Sequence, residues 1–93
     1  MIAIADCGST KIDWCFINGN KVEKQVFTIG MNAVMLTEEE MRTRIADELM
    51  PEIAGLKDSI DAIYFYGAGC ISTEVCGNVA SAIRANIPSA QTI

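Results

Sequence analysis

With 93 residues, 51% of them hydrophobic, the chain has material for one small domain and a modest core. Seven basic residues stand against twelve acidic ones, a formal net charge of -5, which is the wrong balance for a nucleic-acid footprint. Histidine is absent. That excludes Ser-His-Asp and Cys-His hydrolases, His-ligated zinc and His general bases, and leaves carboxylates, hydroxyls, Lys, Arg and backbone to carry any chemistry.

The first six residues, Met1-Ile2-Ala3-Ile4-Ala5-Asp6, lack a basic flank and meet an acid after a short apolar run, so they do not read as a secretory signal. No stretch approaches the ~20 apolar residues of a spanning helix. A soluble cytoplasmic protein without a membrane partner is expected. Cys7, Cys15, Cys70 and Cys76 contain no CxxC pair. They are expected to be reduced and mostly buried.

The elements read in the order β-β-β-α-β-α. Ile2 to Ala5 is short and continuously apolar, which predicts a central strand covered on both faces, and Ile12 to Ile17 reads the same way. Asn18-Gly19-Asn20 tolerates positive φ, so Ile12 to Ile17 and Val22 to Ile29 should form a hairpin. Asp6 to Lys11 would be the loop of another.

Thr37-Glu38-Glu39-Glu40 has the Thr-x-x-Glu spacing in which Thr hydroxyl and Glu carboxylate satisfy each other's backbone amides, and predicts a helix start. Met41, Ile45 and Leu49 then make an apolar stripe, with Arg42, Asp47 and Glu48 left for water, until Pro51 kinks or interrupts the helix. Met31, Met35, Met41 and Met50 are expected to fill the core rather than to form a docking surface.

Ala62 to Tyr66 is a β-prone run ended by Gly67-Ala68-Gly69, after which Ser72 or Thr73 can cap a helix carrying Val75, Val79 and Ile83. The glycines allow close backbone approach, and a helix start offers amides to a polar ligand, yet a turn of this kind is commonly structural alone. It is not the dinucleotide fingerprint, because no third Gly follows at the required spacing.

Asp6-Cys7-Gly8-Ser9-Thr10-Lys11 follows a buried apolar strand and has the composition of a phosphate cradle. Gly8 removes a side chain that would hold phosphate oxygens off the backbone, Ser9 and Thr10 add hydroxyls, Lys11 adds a cation, and Asp6 can orient magnesium through water. A Walker loop needs a following helix, whereas here a strand follows. From these residues alone, a plain Asp-Gly hairpin turn fits as well as a phosphate site.

Asp6-Cys7-Gly8-Ser9-Thr10-Lys11-Ile12-Asp13-Trp14 resembles the first phosphate motif of the actin-like ATPase superfamily. Gly30-Met31-Asn32 after the third strand and Tyr66-Gly67-Ala68-Gly69 after the fourth agree in order with the N-acetylglucosamine kinase-like branch, with relatives in the BadF/BadG/BcrA/BcrD ATPase family. The resemblance implies a partial α/β domain of ribonuclease H-like, actin-like ATPase fold with a mixed sheet. Residues 1-93 would be its N-terminal part, and a second domain would be absent.

It further implies ATP and Mg2+ as cofactors, with Gly8, Ser9, Thr10 and Lys11 on the ATP phosphates and Asp6 on the metal side. Asn32 matches the amino-sugar contact, while Gly67, Ala68 and Gly69 match a stretch lining the sugar pocket. Cys7 departs from the small or polar residue common at its place. The family's catalytic carboxylate would lie on the strand after the second helix, beyond Ile93, so no catalytic residue is assigned and the chain alone should be inactive. Asp13, Asp58 and Asp61 are poor substitutes, the first lying within a strand and the others in a solvated connection.

These features point to the N-terminal portion of an ATP-dependent sugar kinase for N-acetylglucosamine or a related hexosamine. The alternatives are an ATPase of the same superfamily that activates an electron-transfer partner, and a non-catalytic α/β interaction module. Two helices cannot cover both faces of four apolar strands, so the chain alone should be marginally stable, homo-oligomeric or aggregation-prone.

Overall fold

The computed structural model describes residues 1–8, 10–32, 34–67 and 72–90. Three strands open the chain: β1 (Ile2–Cys7), β2 (Lys11–Asn18) and β3 (Lys21–Ile29). Helix α1 (Glu38–Arg44) runs through a π-helical turn (Ile45–Leu49) into α2 (Met50–Ile53). A 3-10 turn (Lys57–Ser59), β4 (Ala62–Gly67) and α3 (Thr73–Asn86) complete the order. The strands form one mixed sheet ordered β3-β2-β1-β4, antiparallel at β1–β2 and β2–β3 and parallel at β1–β4. This is the α/β order expected from the sequence.

Local chemistry accounts for several joints. Gly19 has φ 63° and opens the two-residue loop between the paired Asn18 and Lys21, the position where a hairpin demands positive φ. The same hairpin carries a bulge, because Phe16 pairs with Lys24 and Ile17 with Val22, leaving Glu23 as the extra residue. At α1, Thr37 Oγ1 accepts the Glu40 amide at 3.1 Å and Glu40 Oε1 accepts the Thr37 amide at 3.0 Å, the reciprocal cap that the spacing predicts. Ser72 caps α3 by accepting the Val75 amide.

Pro51 does not interrupt the helix. It lacks an N–H and its ring would press on the carbonyl four residues earlier, and the preceding turn widens so that the Met50 amide bonds Ile45, five residues back. Pro51 then sits in the first turn of α2.

Only one face of the sheet is covered, which corrects the expectation for β1 and β2. Strand alternation sends Ala3, Ala5 and Cys7 to the same side as Ile12, Trp14 and Phe16, where they meet Met41, Ile45 and Leu49 below β3 and Val79, Ala82 and Ile83 of α3. All helices pack there, leaving Ile4 and Tyr64 on the other face, with Phe27 56%, Ile29 61% and Tyr66 64% exposed. On the covered face small residues oppose large ones, Ala3 beside Phe16 and Ala5 beside Trp14, so the layer fills without strain. The Trp14 indole N–H donates to Thr28 Oγ1 at 3.0 Å, satisfying its one polar atom.

Other expectations divide by position. Met31 and Met41 are buried and Met50 packs against the core, but Met35 is 79% exposed. Of the described cysteines, all free, Cys7 alone is buried, Cys15 is half-buried and Cys76 exposed, so burial is not their common state. Glu48 is not simply solvated, since its Oε1 accepts the Ile29 amide at 2.8 Å and fastens the end of β3 to the helix. Among the described residues no helix is long and apolar enough to cross a membrane.

Candidate functional site

The β1–β2 connection is shorter than the sequence suggests. Asp6 belongs to β1 and Lys11 to β2, and the Gly8 amide donates to the Lys11 carbonyl at 2.9 Å to close the turn. That amide is therefore engaged, and what Gly8 contributes is room. A Cβ at Gly8 would meet only the Lys11 carbonyl oxygen, at 3.4 Å, an ordinary contact.

Beside this turn lies an open depression of about 220 Å³ lined by Asp6, Gly8, Thr10, Lys11 and Asp13. Four of the residues expected at a phosphate–metal site are thus brought together. Ser9 lies outside the described residues. The donors lining the depression are the Thr10 hydroxyl and the Lys11 ammonium, the latter 4.9 Å from the centre of the Phe27 ring. An aromatic face holds such a cation weakly at an exposed site, so Lys11 remains available to an anion.

Asp13, which the sequence reading weighed only as a base, stands beside Asp6. The hairpin register sets Cys7 against Ile12 and hence Asp6 against Asp13, so both carboxylates point to the uncovered face. Gln25 Nε2 donates to Asp13 Oδ1 at 2.9 Å from the next strand and offsets part of the repulsion. Counting outward from the turn in alternating strands would have shown the pair.

Carboxylate oxygens suit magnesium, which is typically held by one or two carboxylates together with waters and substrate phosphates. Asp6, with Asp13 beside it, fits that donor set. No group of three or more His, Cys, Asp or Glu side chains placed to hold a metal ion occurs among the described residues.

The second expected segment, 30–32, adjoins the turn without entering the depression. The Gly30 amide donates to the Thr10 carbonyl at 3.1 Å, and the Gly30 carbonyl accepts Arg44 Nη1 at 3.1 Å. The Cys7 thiol donates to the Met31 carbonyl at 3.1 Å. Burial pushes this thiol above its ordinary value, the Met31 hydrogen bond opposes that, and Asp6 reinforces it. Asn32 closes a local turn by accepting the Val34 amide on Oδ1 at 3.0 Å, and its NH2 group makes no hydrogen bond to a described residue.

Gly67 stands beside Cys7 in the parallel β1–β4 register. Its missing side chain has a structural cause, because a Cβ there would overlap the Phe65 ring, which itself packs tilted on Trp14 at 6.3 Å between centroids. Ala68 and Gly69 lie outside the described residues. The other acids considered as bases are engaged or remote: Asp61 pairs with the N-terminal ammonium at 3.0 Å, and Asp58 sits exposed in the 3-10 turn.

No family model matches this chain. No curated protein matches it either. Among solved structures, the chain is similar to a crystal structure of a putative N-acetylglucosamine kinase from Porphyromonas gingivalis, with 35% sequence identity and a TM-score of 0.93. The match covers 100% of this chain and 32% of that one, so the chain spans about a third of the neighbour's length. At that identity the likeness is one of sequence as well as fold.

Proposed function

We propose that this chain is the N-terminal part of an ATP-dependent sugar kinase acting on N-acetylglucosamine or a related hexosamine, within a ribonuclease H-like, actin-like ATPase domain. The observation that carries the reading is the convergence of Asp6, Gly8, Thr10 and Lys11 on one depression at the end of β1. The similarity of the whole chain to a kinase structure supports it.

Phosphoryl transfer asks a protein mainly for positioning and for stabilisation of charge on the moving phosphoryl group. Lys11 and the Thr10 hydroxyl would meet nucleotide phosphate oxygens at the mouth of the turn, with Ser9 assigned beside them by the resemblance. Gly8 would let the phosphates approach a backbone that carries no side chain. Asp6 would hold magnesium, which when bound supplies positive charge to the phosphates. Asn32 would offer its NH2 to the sugar, and Gly67, with Ala68 and Gly69 assigned beside it by the resemblance, would line the sugar pocket. The group that accepts the hydroxyl proton is not assigned among these residues.

The test is equilibrium binding of magnesium with a non-hydrolysable ATP analogue to the gene product carrying this chain. Thr10→Ala, which removes a hydrogen bond to a charged group, should weaken binding about tenfold. Asp6→Ala should remove the magnesium dependence of binding. Unchanged affinity in both variants contradicts the reading.

A further inference from the structure

Cys7 stands where the three segments of the proposed site meet. It precedes Gly8 directly, lies beside Gly67 in the β1–β4 register, and donates its thiol to the carbonyl of Met31, the neighbour of Asn32. Among the described residues, no other β1 side chain hydrogen-bonds to the 30–32 segment. The other bonds that tie this segment to distant elements are the Gly30 amide on the Thr10 carbonyl and Arg44 on the Gly30 carbonyl, both one residue short of Met31, while Asn32 accepts only the amides of its own turn, from Val34, Met35 and Leu36.

We infer that Cys7 is a positioning residue: its thiol fixes the Met31 carbonyl and so sets Asn32, the proposed sugar donor, at a constant distance from the phosphate turn. This rests on the kinase reading above. A thiol suits the place. It is small enough for the closely packed layer beside Gly67, it donates one hydrogen bond, and at 4% exposure it is shielded from solvent and from reaction. Alanine would fill nearly the same space while leaving the Met31 carbonyl without this donor. Serine would keep a donor on a shorter bond. Because the turn keeps its own Gly8–Lys11 closure, loss of the thiol should loosen the sugar side and leave the nucleotide side in place.

The experiment uses the gene product carrying this chain, with N-acetylglucosamine and ATP as the probes. Cys7→Ala should raise KM for the sugar about fivefold, the equivalent of one ordinary hydrogen bond, with KM for ATP changed less than twofold. Cys7→Ser should recover most of the loss. Arg44→Met, which frees the Gly30 carbonyl from a second element, should shift the same parameter in the same direction. Amide exchange of Gly30, measured without ligand, should quicken in Cys7→Ala. An active enzyme whose sugar KM is unchanged in Cys7→Ala, or whose two KM values rise together, overturns the inference and leaves the kinase reading intact. A protein that phosphorylates no amino sugar overturns both the kinase reading and the sugar-side role of Cys7, whatever Gly30 exchange shows.

Discussion

Asp6 and Asp13 are direct cross-strand partners in the β1–β2 hairpin, two carboxylates side by side on the sheet face that no helix covers. Like charges in this relation destabilise a hairpin, and here the Gln25 amide on Asp13 and the Lys11 ammonium beside the pair offset part of that.

Asp13→Asn is therefore expected to stabilise the unliganded protein, by up to about 1 kcal/mol. The variant keeps an oxygen for Gln25 and removes one of the two charges. Urea denaturation at low salt measures the change, which should shrink as salt is added. A loss of stability would show that Asp13 is held by favourable contacts instead.

Gly8→Ala separates room for a ligand from room for the fold. The added methyl group meets only the Lys11 carbonyl at an ordinary distance, so Tm should change by no more than a degree or two, while nucleotide affinity falls about tenfold or more. Thermal unfolding and nucleotide titration on one preparation provide the check. Equal affinity for the variant and the parent would mean that phosphates do not approach this backbone.

Gly67→Ala behaves oppositely. Its methyl group overlaps the Phe65 ring, and turning that ring away disturbs the contact with Trp14, so about 1–3 kcal/mol of stability should be lost. A double variant with Phe65→Leu should recover part of it, which denaturant midpoints would reveal.

The helix cap should titrate. The Thr37 amide and hydroxyl hold the Glu40 carboxyl below its ordinary 4.5. A lowered native value means that the cap's contribution is present above pH 4.5 and is lost as pH falls through the lowered value. Glu40→Ala should have a lower Tm than the parent at pH 7, and the two should converge as pH falls below 4.5 and through the lowered native value. A Tm difference that does not vary with pH would assign the cap's effect to Thr37 alone.

What the sequence disclosed follows from how local each cause is. The Thr37–Glu40 cap and the Gly19 turn depend on four residues or fewer, and both were legible. The Ile2 to Ala5 run was not, because four apolar residues in a row look alike whether one face or two are covered. The structure buries the small Ala3 and Ala5 and exposes the larger Ile4, since α1, α2 and α3 all lie on one side. Glu48 looked merely solvated and Cys7 was an unexplained departure, because their partners, Ile29 and Met31, are 19 and 24 residues away. Pro51 was read as a kink or an interruption, and nothing local announces that the disturbance takes the form of a widened turn before it. At the candidate site, the turn between β1 and β2 and its residues were legible, whereas the partnership of Asp6 with Asp13 needed the register.

The uncovered face bears on how the protein should be handled. Phe27, Ile29, Tyr64 and Tyr66 lie on the same side of the sheet as the Asp6–Asp13 pair. An apolar sheet face of this kind favours association when it is left in water. Sedimentation of the 93-residue chain should show concentration-dependent assembly, and a monomer across the range would show that the exposed residues are tolerated singly.

The most direct measurement is sugar-dependent ADP formation by the gene product carrying this chain, with magnesium and ATP present and N-acetylglucosamine compared against other hexosamines and glucose. The account predicts ADP formation that requires an amino sugar and is lost in Asp6→Ala and Thr10→Ala. ATP hydrolysis at the same rate with and without sugar would contradict it, and so would full activity in either variant.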